Sequence, residues 1–372
     1  MPSEGRIVAV TGANGFIGRN LVVRLREQGF TVRPIVRDTN PLEAHVALSE
    51  AEIIFHLAGA NRPEDPSDFF RDNADFTALL TRTIRAARGK PMIIFSSSTK
   101  ATDRSEYGRS KRAAERELLS LAMRGGADVA IYRLPNIFGK WAIPDYNSAV
   151  ATFCHNIARG LPIRIDDPDA PLMLVHIDDL IDQWLSLVDR RQIENGFVVP
   201  LGVHQTTVGK TAALIKAFAA RRATNEDLEV YGGFERALYS SFIAALPPTA
   251  FSYPLASRCD QHGSLIALLK TPVRRSISIF STHPGGQRTG RYHHRRVEKL
   301  LVVKGAALFR FRHILTGEQH EVRTSGGTPV IVDTIPGWAQ DVTNVGDERM
   351  VSLVWANEKL DPARPDTVVM SL

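Results

Sequence analysis

The sequence predicts an α/β chain, with a doubly wound parallel sheet over residues 1–250 followed by an all-β domain over residues 251–372. Short apolar runs alternate with helical periodicity from Arg6 to about Val188, as strand–helix–strand units do. A glycine-spaced turn, Thr11-Gly-Ala-Asn-Gly-Phe-Ile-Gly18, joins the first strand to the first helix. Beyond Pro254, strands follow one another without helices, separated by Gly and Pro turns, the pattern of an antiparallel sandwich or barrel. The 372 residues also exceed the roughly 250–300 at which one core stops growing.

Ile7-Val-Ala-Val10 is an unbroken apolar run, hence a buried strand. Phe16 to Gln28 places Ile17, Leu21, Val22 and Leu25 on one helical face and stops at Gly29. Thr31–Val36, Ile53–Leu57, Met92–Ser96 and Val129–Arg133 are the next strands. Helices are expected over Phe69–Arg88, Tyr107–Met123, Ala149–Arg159 and Thr207–Arg222. The segment Ala245-Leu-Pro-Pro-Thr-Ala-Phe-Ser-Tyr-Pro254 breaks both periods and marks the boundary. After it come strands at Leu265–Lys270, Ser276–Thr282, Glu298–Lys304, Ala307–His313, Val330–Ile335 and Met350–Ala356.

Composition excludes several classes of protein. No apolar run approaches the roughly 18 residues of a membrane helix, and the N-terminus lacks a signal-peptide pattern. Cys154 and Cys259 cannot build a disulfide framework, so a cytoplasmic, reducing compartment is expected. The net charge of +6 is uneven: from Pro254 onward 16 Lys and Arg face 11 Asp and Glu. Long basic tracts with interleaved aromatics are missing, so an anionic small molecule is expected rather than nucleic acid.

In the glycine turn, Gly12 permits the tight bend, Gly15 a close approach to a diphosphate, and Gly18 the packing of helix on strand. Asn14, Phe16 and Ile17 complete the turn at a helix N-terminus, which offers unpaired N–H groups to an anion. Arg33 and Arg37, around the end of the second strand, suit a 2′-phosphate and favour NADPH; Asp38 keeps NADH open. Tyr107-Gly-Arg-Ser-Lys111 sets a phenol and an ammonium one turn apart on a helix, where the cation is expected to favour the phenolate. Ser98, ending the preceding strand, supplies a hydroxyl for a substrate carbonyl.

Together with His56-Leu57-Ala58-Gly59, Arg133-x-x-Asn136-x-Phe-Gly139 and Val175-His-Ile-Asp-Asp179, these motifs resemble in order the extended short-chain dehydrogenase/reductases, over about residues 5–245. That resemblance implies a Rossmann-type domain. Tyr107 would be the proton-exchanging residue, Lys111 the nicotinamide-ribose ligand and Ser98 the group that orients the reacting oxygen. It also places Gly12, Asn14, Gly15, Phe16, Ile17, Gly18, Leu57, Ala58 and Gly59 against the cofactor and Asn136 against substrate. Thr99-Lys100 stand where the family's dehydratases carry Asp-Glu, so water elimination is not expected.

Arg291-Tyr-His293, Glu298 and Gly305 resemble the first cupin motif, and the segment from Pro336 to Asn344 the second. Arg291 and Gln340 stand where two ligand histidines are usual, leaving His293 and Glu298. A guanidinium repels a cation, so no metal is expected. Two uses of the domain stay open: a noncatalytic barrel that dimerises the chain or covers the active site, and a sugar-nucleotide cavity using Arg291 and His293. The domain order resembles the bifunctional enzymes of UDP-N-acetyl-L-fucosamine synthesis. It implies NADPH-dependent reduction of a UDP-4-keto-6-deoxy-HexNAc for surface polysaccharide, C3 epimerisation in the cupin, and a homodimer. The rival expectations are a 4-epimerase with tightly held NAD and a noncatalytic nucleotide-binding or assembly protein.

Overall fold

The computed structural model describes residues 5–63, 65–87, 89–146, 148–190, 193–224, 232–254, 257–260, 263–266, 276–358 and 366–372. The chain forms two compact units, Met1–Ile137 with Leu172–Gln205, and Phe138–Pro171 with Thr206–Leu372.

The first unit is built on strands β1 (Ile7–Thr11), β2 (Thr31–Ile35), β3 (Ile53–His56), β4 (Met92–Ser98) and β5 (Asp128–Leu134). They pair in parallel in the order β2-β1-β3-β4-β5, with a sixth strand, Gly196–Val198, beside β5. Alternation along the strands divides the core. Val8, Val10, Phe55, Ile94 and Tyr132 face helices Phe16–Glu27 and Ile177–Arg190 through Leu21, Leu25, Ile181 and Trp184. Ala9, Ile54, Ile93, Phe95 and Ile131 face the other layer through Leu48, Leu80, Ile84 and Leu118. Both faces are covered at the centre of the sheet, which is why β1 and β3 read as continuous apolar runs. The doubly wound expectation holds. The order reverses between β1 and β3, and a crevice at the strands' C-terminal ends is where such sheets bind ligands.

One expected helix is different. The stretch read as Phe69–Arg88 opens with a π-helical turn, Phe70–Asp75, before the α-helix Phe76–Ala86. The apolar spacing is satisfied by either winding, but the wider turn brings Asn73 inward, where it is buried.

In the second unit, helices Ala149–Ala158, Val208–Thr224 and Gly233–Ala244 accompany two five-stranded antiparallel sheets. Ser252–Pro254, Val330–Asp333, Glu298–Lys304, Met350–Ala356 and Ser276–Thr282 form one sheet. Gln319–Ser325, Ala306–His313, Trp338–Asn344, Gln287–His293 and Thr367–Val369 form the other. Successive strands from Ser276 alternate between the sheets, apart from one hairpin, as in a jelly roll. Phe251 meets Phe311 and Trp338 edge-on at 5.4 and 4.9 Å, filling the space between the sheets. The expected strand Leu265–Lys270 is seen only at Gly263–Ile266; the rest lies outside the described residues. Among the described residues no helix is long and apolar enough to cross a membrane.

Candidate active site

The glycine turn is closely packed. Gly12 has φ +68°, its N–H donates to the Ile35 carbonyl at 2.9 Å, and a Cβ there would stand 2.8 Å from the Ala58 nitrogen. A Cβ on Gly18 would lie 2.2 Å from the Gly12 carbonyl oxygen. The helix Phe16–Glu27 begins after Gly15 with no side-chain cap, so the N–H groups of its first turn are available to an anion. Leu57 and Ala58 are held beside this turn because the Thr11 hydroxyl accepts their N–H groups, both at 3.1 Å. With bare backbone, an uncapped helix and a neighbouring β3 terminus, these residues fit the diphosphate of a dinucleotide.

The Thr11 hydroxyl also meets His56 Nδ1 at 2.9 Å, and His56 Nε2 meets Thr77 Oγ1 at 2.8 Å. Thr77 gives its proton to the Asn73 carbonyl at 2.6 Å. Thr77 therefore accepts from Nε2–H, and Thr11, which already accepts two N–H groups, donates to Nδ1. Burial, aided by the Lys111 charge, lowers the His56 pKa to about 3. His56 is thus a neutral clip between strands and helix rather than an acid or base.

Ser98 ends β4, and its hydroxyl accepts the Lys100 N–H at 3.1 Å, starting the turn Thr99–Thr102. Helix Glu106–Met123 follows, capped by Ser105 through the Gly108 N–H at 3.0 Å. A Cβ on Gly108 would sit 2.2 Å from the Lys100 carbonyl oxygen, so glycine there lets the helix start against this turn. The result is that the Tyr107 phenol comes within electrostatic reach of the Ser98 hydroxyl. Lys111 lies below it, buried, with Nζ donating to the Ser96 carbonyl at 2.8 Å and standing 4.6 Å from the Phe95 ring centre. A Cβ on Gly59 would be 3.5 Å from that Nζ, so the loop after β3, the lysine and the tyrosine helix converge.

The expected effect of the cation on the phenol is not what the structure shows. Burial raises the Tyr107 pKa, and the nearby Ser98 hydroxyl only partly opposes it, so the phenol keeps its proton at neutral pH. Lys111 is the more labile group: burial lowers its pKa to about 8 against the pull of Glu115.

Sequence reasoning missed two residues here. Asn73 donates to the Ala60 carbonyl at 2.9 Å and to Ser110 at 3.1 Å, while its Oδ1 lies 2.3 Å from the position of a Gly59 Cβ. Glu115, one turn beyond Lys111, is buried and accepts from Ser97 at 2.5 Å and from Arg133 at 2.9 and 2.7 Å. Its signal was the helical spacing from Tyr107 and Lys111; that of Asn73 was hidden by the π-turn.

The other expected residues are spread out. Arg33 and Arg37 are exposed, and Arg37 pairs with Asp72 at 3.2 Å. Asn136 is exposed at the start of the short strand Asn136–Phe138. In the second unit Arg291 pairs with Gln340 across the sheet, and its guanidinium reaches Glu298 at 3.3 Å. Arg296 holds the other carboxylate oxygen at 2.8 Å. Burial pushes the Glu298 carboxyl up, but His293, Arg291 and Arg296 outweigh it and bring it down to about 2. His293 is buried and bonds Thr367 at 3.2 Å; its 3.8 Å approach to Glu298 is too long for a hydrogen bond. Among the described residues no three His, Cys, Asp or Glu side chains converge as a metal site would require. With Glu298 committed to two guanidinium groups, this donor set does not fit a divalent cation.

Residues 8–202 match the NAD dependent epimerase/dehydratase family, and residues 258–368 match the polysaccharide biosynthesis C-terminal domain. A Pseudomonas aeruginosa protein named UDP-2-acetamido-2,6-beta-L-arabino-hexul-4-ose reductase is 42% identical over 366 residues, 98% of each chain. The crystal structure of the capsular polysaccharide assembling protein CapF from Staphylococcus aureus is similar at 36% identity. Its TM-score is 0.67, over 98% of this chain and 100% of that one. RMD from Pseudomonas aeruginosa, solved with NADPH, shares the fold at 20% identity and TM-score 0.50, over 58% of this chain and 83% of that one. The glycine cradle and the Ser98–Tyr107–Lys111 cluster sit where that family match falls, and the first two of these relatives cover 98% of the chain. The chain therefore belongs to the NAD dependent epimerase/dehydratase family, as an NAD(P)-dependent oxidoreductase domain followed by a polysaccharide biosynthesis C-terminal domain.

Proposed function

We propose that the chain is an NADPH-dependent reductase of the 4-keto group of a UDP-linked 6-deoxy-HexNAc, serving surface polysaccharide synthesis. The observation that carries this is the convergence of Tyr107 and Lys111, one turn apart on a helix, with the end of β4 and the Gly59 loop, where Lys111 Nζ donates to the Ser96 carbonyl at 2.8 Å. A ketone being reduced needs a proton donor at its oxygen, and Tyr107 is a donor that still holds its proton. Support for the sugar nucleotide comes from the full-length relative, whose name specifies a UDP-linked hexulose.

A bound nicotinamide supplies a hydride to the keto carbon. Ser98 orients the carbonyl oxygen, and Tyr107 transfers its proton to that oxygen as negative charge develops there. Lys111 holds the ribose and offsets that charge. Leu57, Ala58 and Gly59 line the cofactor, and Asn136 contacts substrate. Since Lys111 works as a cation and its pKa is about 8, kcat/KM for reduction should be highest below that pH and fall as pH rises through it. A flat profile from pH 7 to 9.5 contradicts this role.

Arg37 supports the choice of NADPH. Its pair with Asp72 is largely solvent-exposed and weak, so the guanidinium is free to turn to a 2′-phosphate. Arg37→Asp should shift the NADPH/NADH preference of kcat/KM by about 10- to 100-fold toward NADH, the worth of one charge-assisted hydrogen bond. Equal use of both cofactors by the wild type overturns the assignment.

The cupin-like centre acts, in this reading, without a divalent cation, because Arg291 and Arg296 neutralise Glu298. Dialysis against a strong chelator should leave reduction unchanged, and elemental analysis should find well under one zinc per chain. One tightly held zinc per chain is the contrary outcome.

Incubation with NADPH and UDP-4-keto-6-deoxy-HexNAc tests the function as a whole. Loss of absorbance at the NADPH band with a 4-hydroxy product is expected. Epimerisation without NADPH consumption points to the 4-epimerase instead.

A further inference from the structure

The loop from Gly139 to Asp145 follows Asn136 by three residues and leads into helix Ala149–Ala158. Three of its seven residues have positive φ: Gly139 at 147°, Trp141 at 67° and Asp145 at 55°. A bulky residue such as tryptophan adopts this conformation only when its surroundings impose it. The surroundings are in the second unit. The Trp141 indole lies so close to Gly337 that a Cβ there would be 2.8 Å from the ring. His313 meets it edge-on at 6.0 Å and is braced by Trp338 at 5.0 Å. The His313 ring is itself fixed, because its Nδ1 accepts the Leu315 and Thr316 N–H groups at 3.3 and 3.1 Å.

Gly337 cannot retreat from the indole. Its N–H donates to the His293 carbonyl at 3.1 Å, and its own carbonyl accepts the Ile314 N–H at 3.2 Å. It has φ +83° in the turn before strand Trp338–Asn344. Glycine at 337 thus serves two needs, a left-handed backbone and room for the indole. At the other end of the loop the Asp145 N–H donates to Thr152 Oγ1 at 2.9 Å, fastening it to the helix.

We infer that Trp141 is a positioning residue for the sugar-nucleotide substrate. Seated on Gly337 and His313 of the β-sheets, it sets the conformation of the loop that follows Asn136. This rests on the reading above that the chain reduces a UDP-sugar and that Asn136 contacts it. It gives the C-terminal domain a part in reduction that needs neither a metal nor a catalytic group of its own.

The test uses the full chain, with NADPH oxidation on UDP-4-keto-6-deoxy-HexNAc and NADPH binding followed by fluorescence. Trp141→Ala should raise KM for the UDP-sugar by about 10- to 100-fold, with a smaller change in kcat and an unchanged NADPH Kd. Trp141→Phe keeps a ring in the seat and should recover most of the lost affinity. Gly337→Ala, which pushes on the indole while leaving the loop sequence intact, should raise the same KM. An unchanged KM in folded Trp141→Ala, or an equal weakening of NADPH binding, overturns the inference. If Trp141→Ala does not fold, Gly337→Ala decides it by the same split. A wild type that fails to oxidise NADPH with this substrate refutes the functional reading instead, so the two failures are distinguishable.

Discussion

Tyr107→Phe should lose about 10²- to 10⁴-fold in kcat, the range for removing a positioned general acid. Cofactor affinity should hold, because the ring remains packed 5.7 Å from Phe69. The loss belongs in turnover rather than in KM, since the proton moves only in the transition state. Ser98 stays held by the Lys100 N–H, so the variant tests the phenol's proton and little else. Near-wild-type turnover would remove Tyr107 from the mechanism.

The second large effect is steric. Gly18→Ala places a methyl 2.2 Å from the Gly12 carbonyl oxygen and 2.8 Å from the Ala13 Cα, and all of these neighbours are backbone. No rotamer relieves that contact, so helix Phe16–Glu27 must move off the turn. A cost of about 1–3 kcal/mol in stability is expected. On the proposal that the helix N-terminus holds the diphosphate, the NADPH Kd should rise at least 100-fold, measured by fluorescence titration on folded variant. A folded variant with wild-type affinity contradicts the placement of the diphosphate.

What the sequence made legible follows from how local each signal is. The strand and helix flanking the glycine turn, the serine ending β4 and the Tyr-x-x-x-Lys pair are fixed by short-range spacing, and the structure brings Ser98, Tyr107 and Lys111 together. Asn73 was not legible, because an α-helical and a π-helical turn satisfy the same apolar pattern while aiming a side chain differently. Glu115 falls at helical spacing from Lys111, but the Ser97 and Arg133 side chains that hold it come from neighbouring strand ends, which local spacing does not show. In the C-terminal domain the apolar strands were readable. Gln319–Ser325, polar and at a sheet edge, and the three-residue Thr367–Val369 lack the alternation that marks a strand. The seat of Trp141 on Gly337 joins residues 196 positions apart, so no spacing rule could have shown it.

The direction of the Tyr107 shift also came only from burial. Spacing placed a cation one turn away, and proximity alone would have favoured the phenolate. The structure turns Lys111 toward the Ser96 carbonyl and leaves the phenol desolvated.

The central claim is that hydride passes from NADPH to carbon 4 of a UDP-linked keto sugar while Tyr107 protonates its oxygen. Its most direct measurement uses NADPH deuterated at the transferring position with UDP-4-keto-6-deoxy-HexNAc, reading the sugar by NMR. The account predicts one deuterium at carbon 4 for each NADPH oxidised, accumulating about 10²- to 10⁴-fold more slowly in Tyr107→Phe. A sugar product without deuterium at carbon 4, or NADPH left unconsumed while the sugar is turned over, would contradict it.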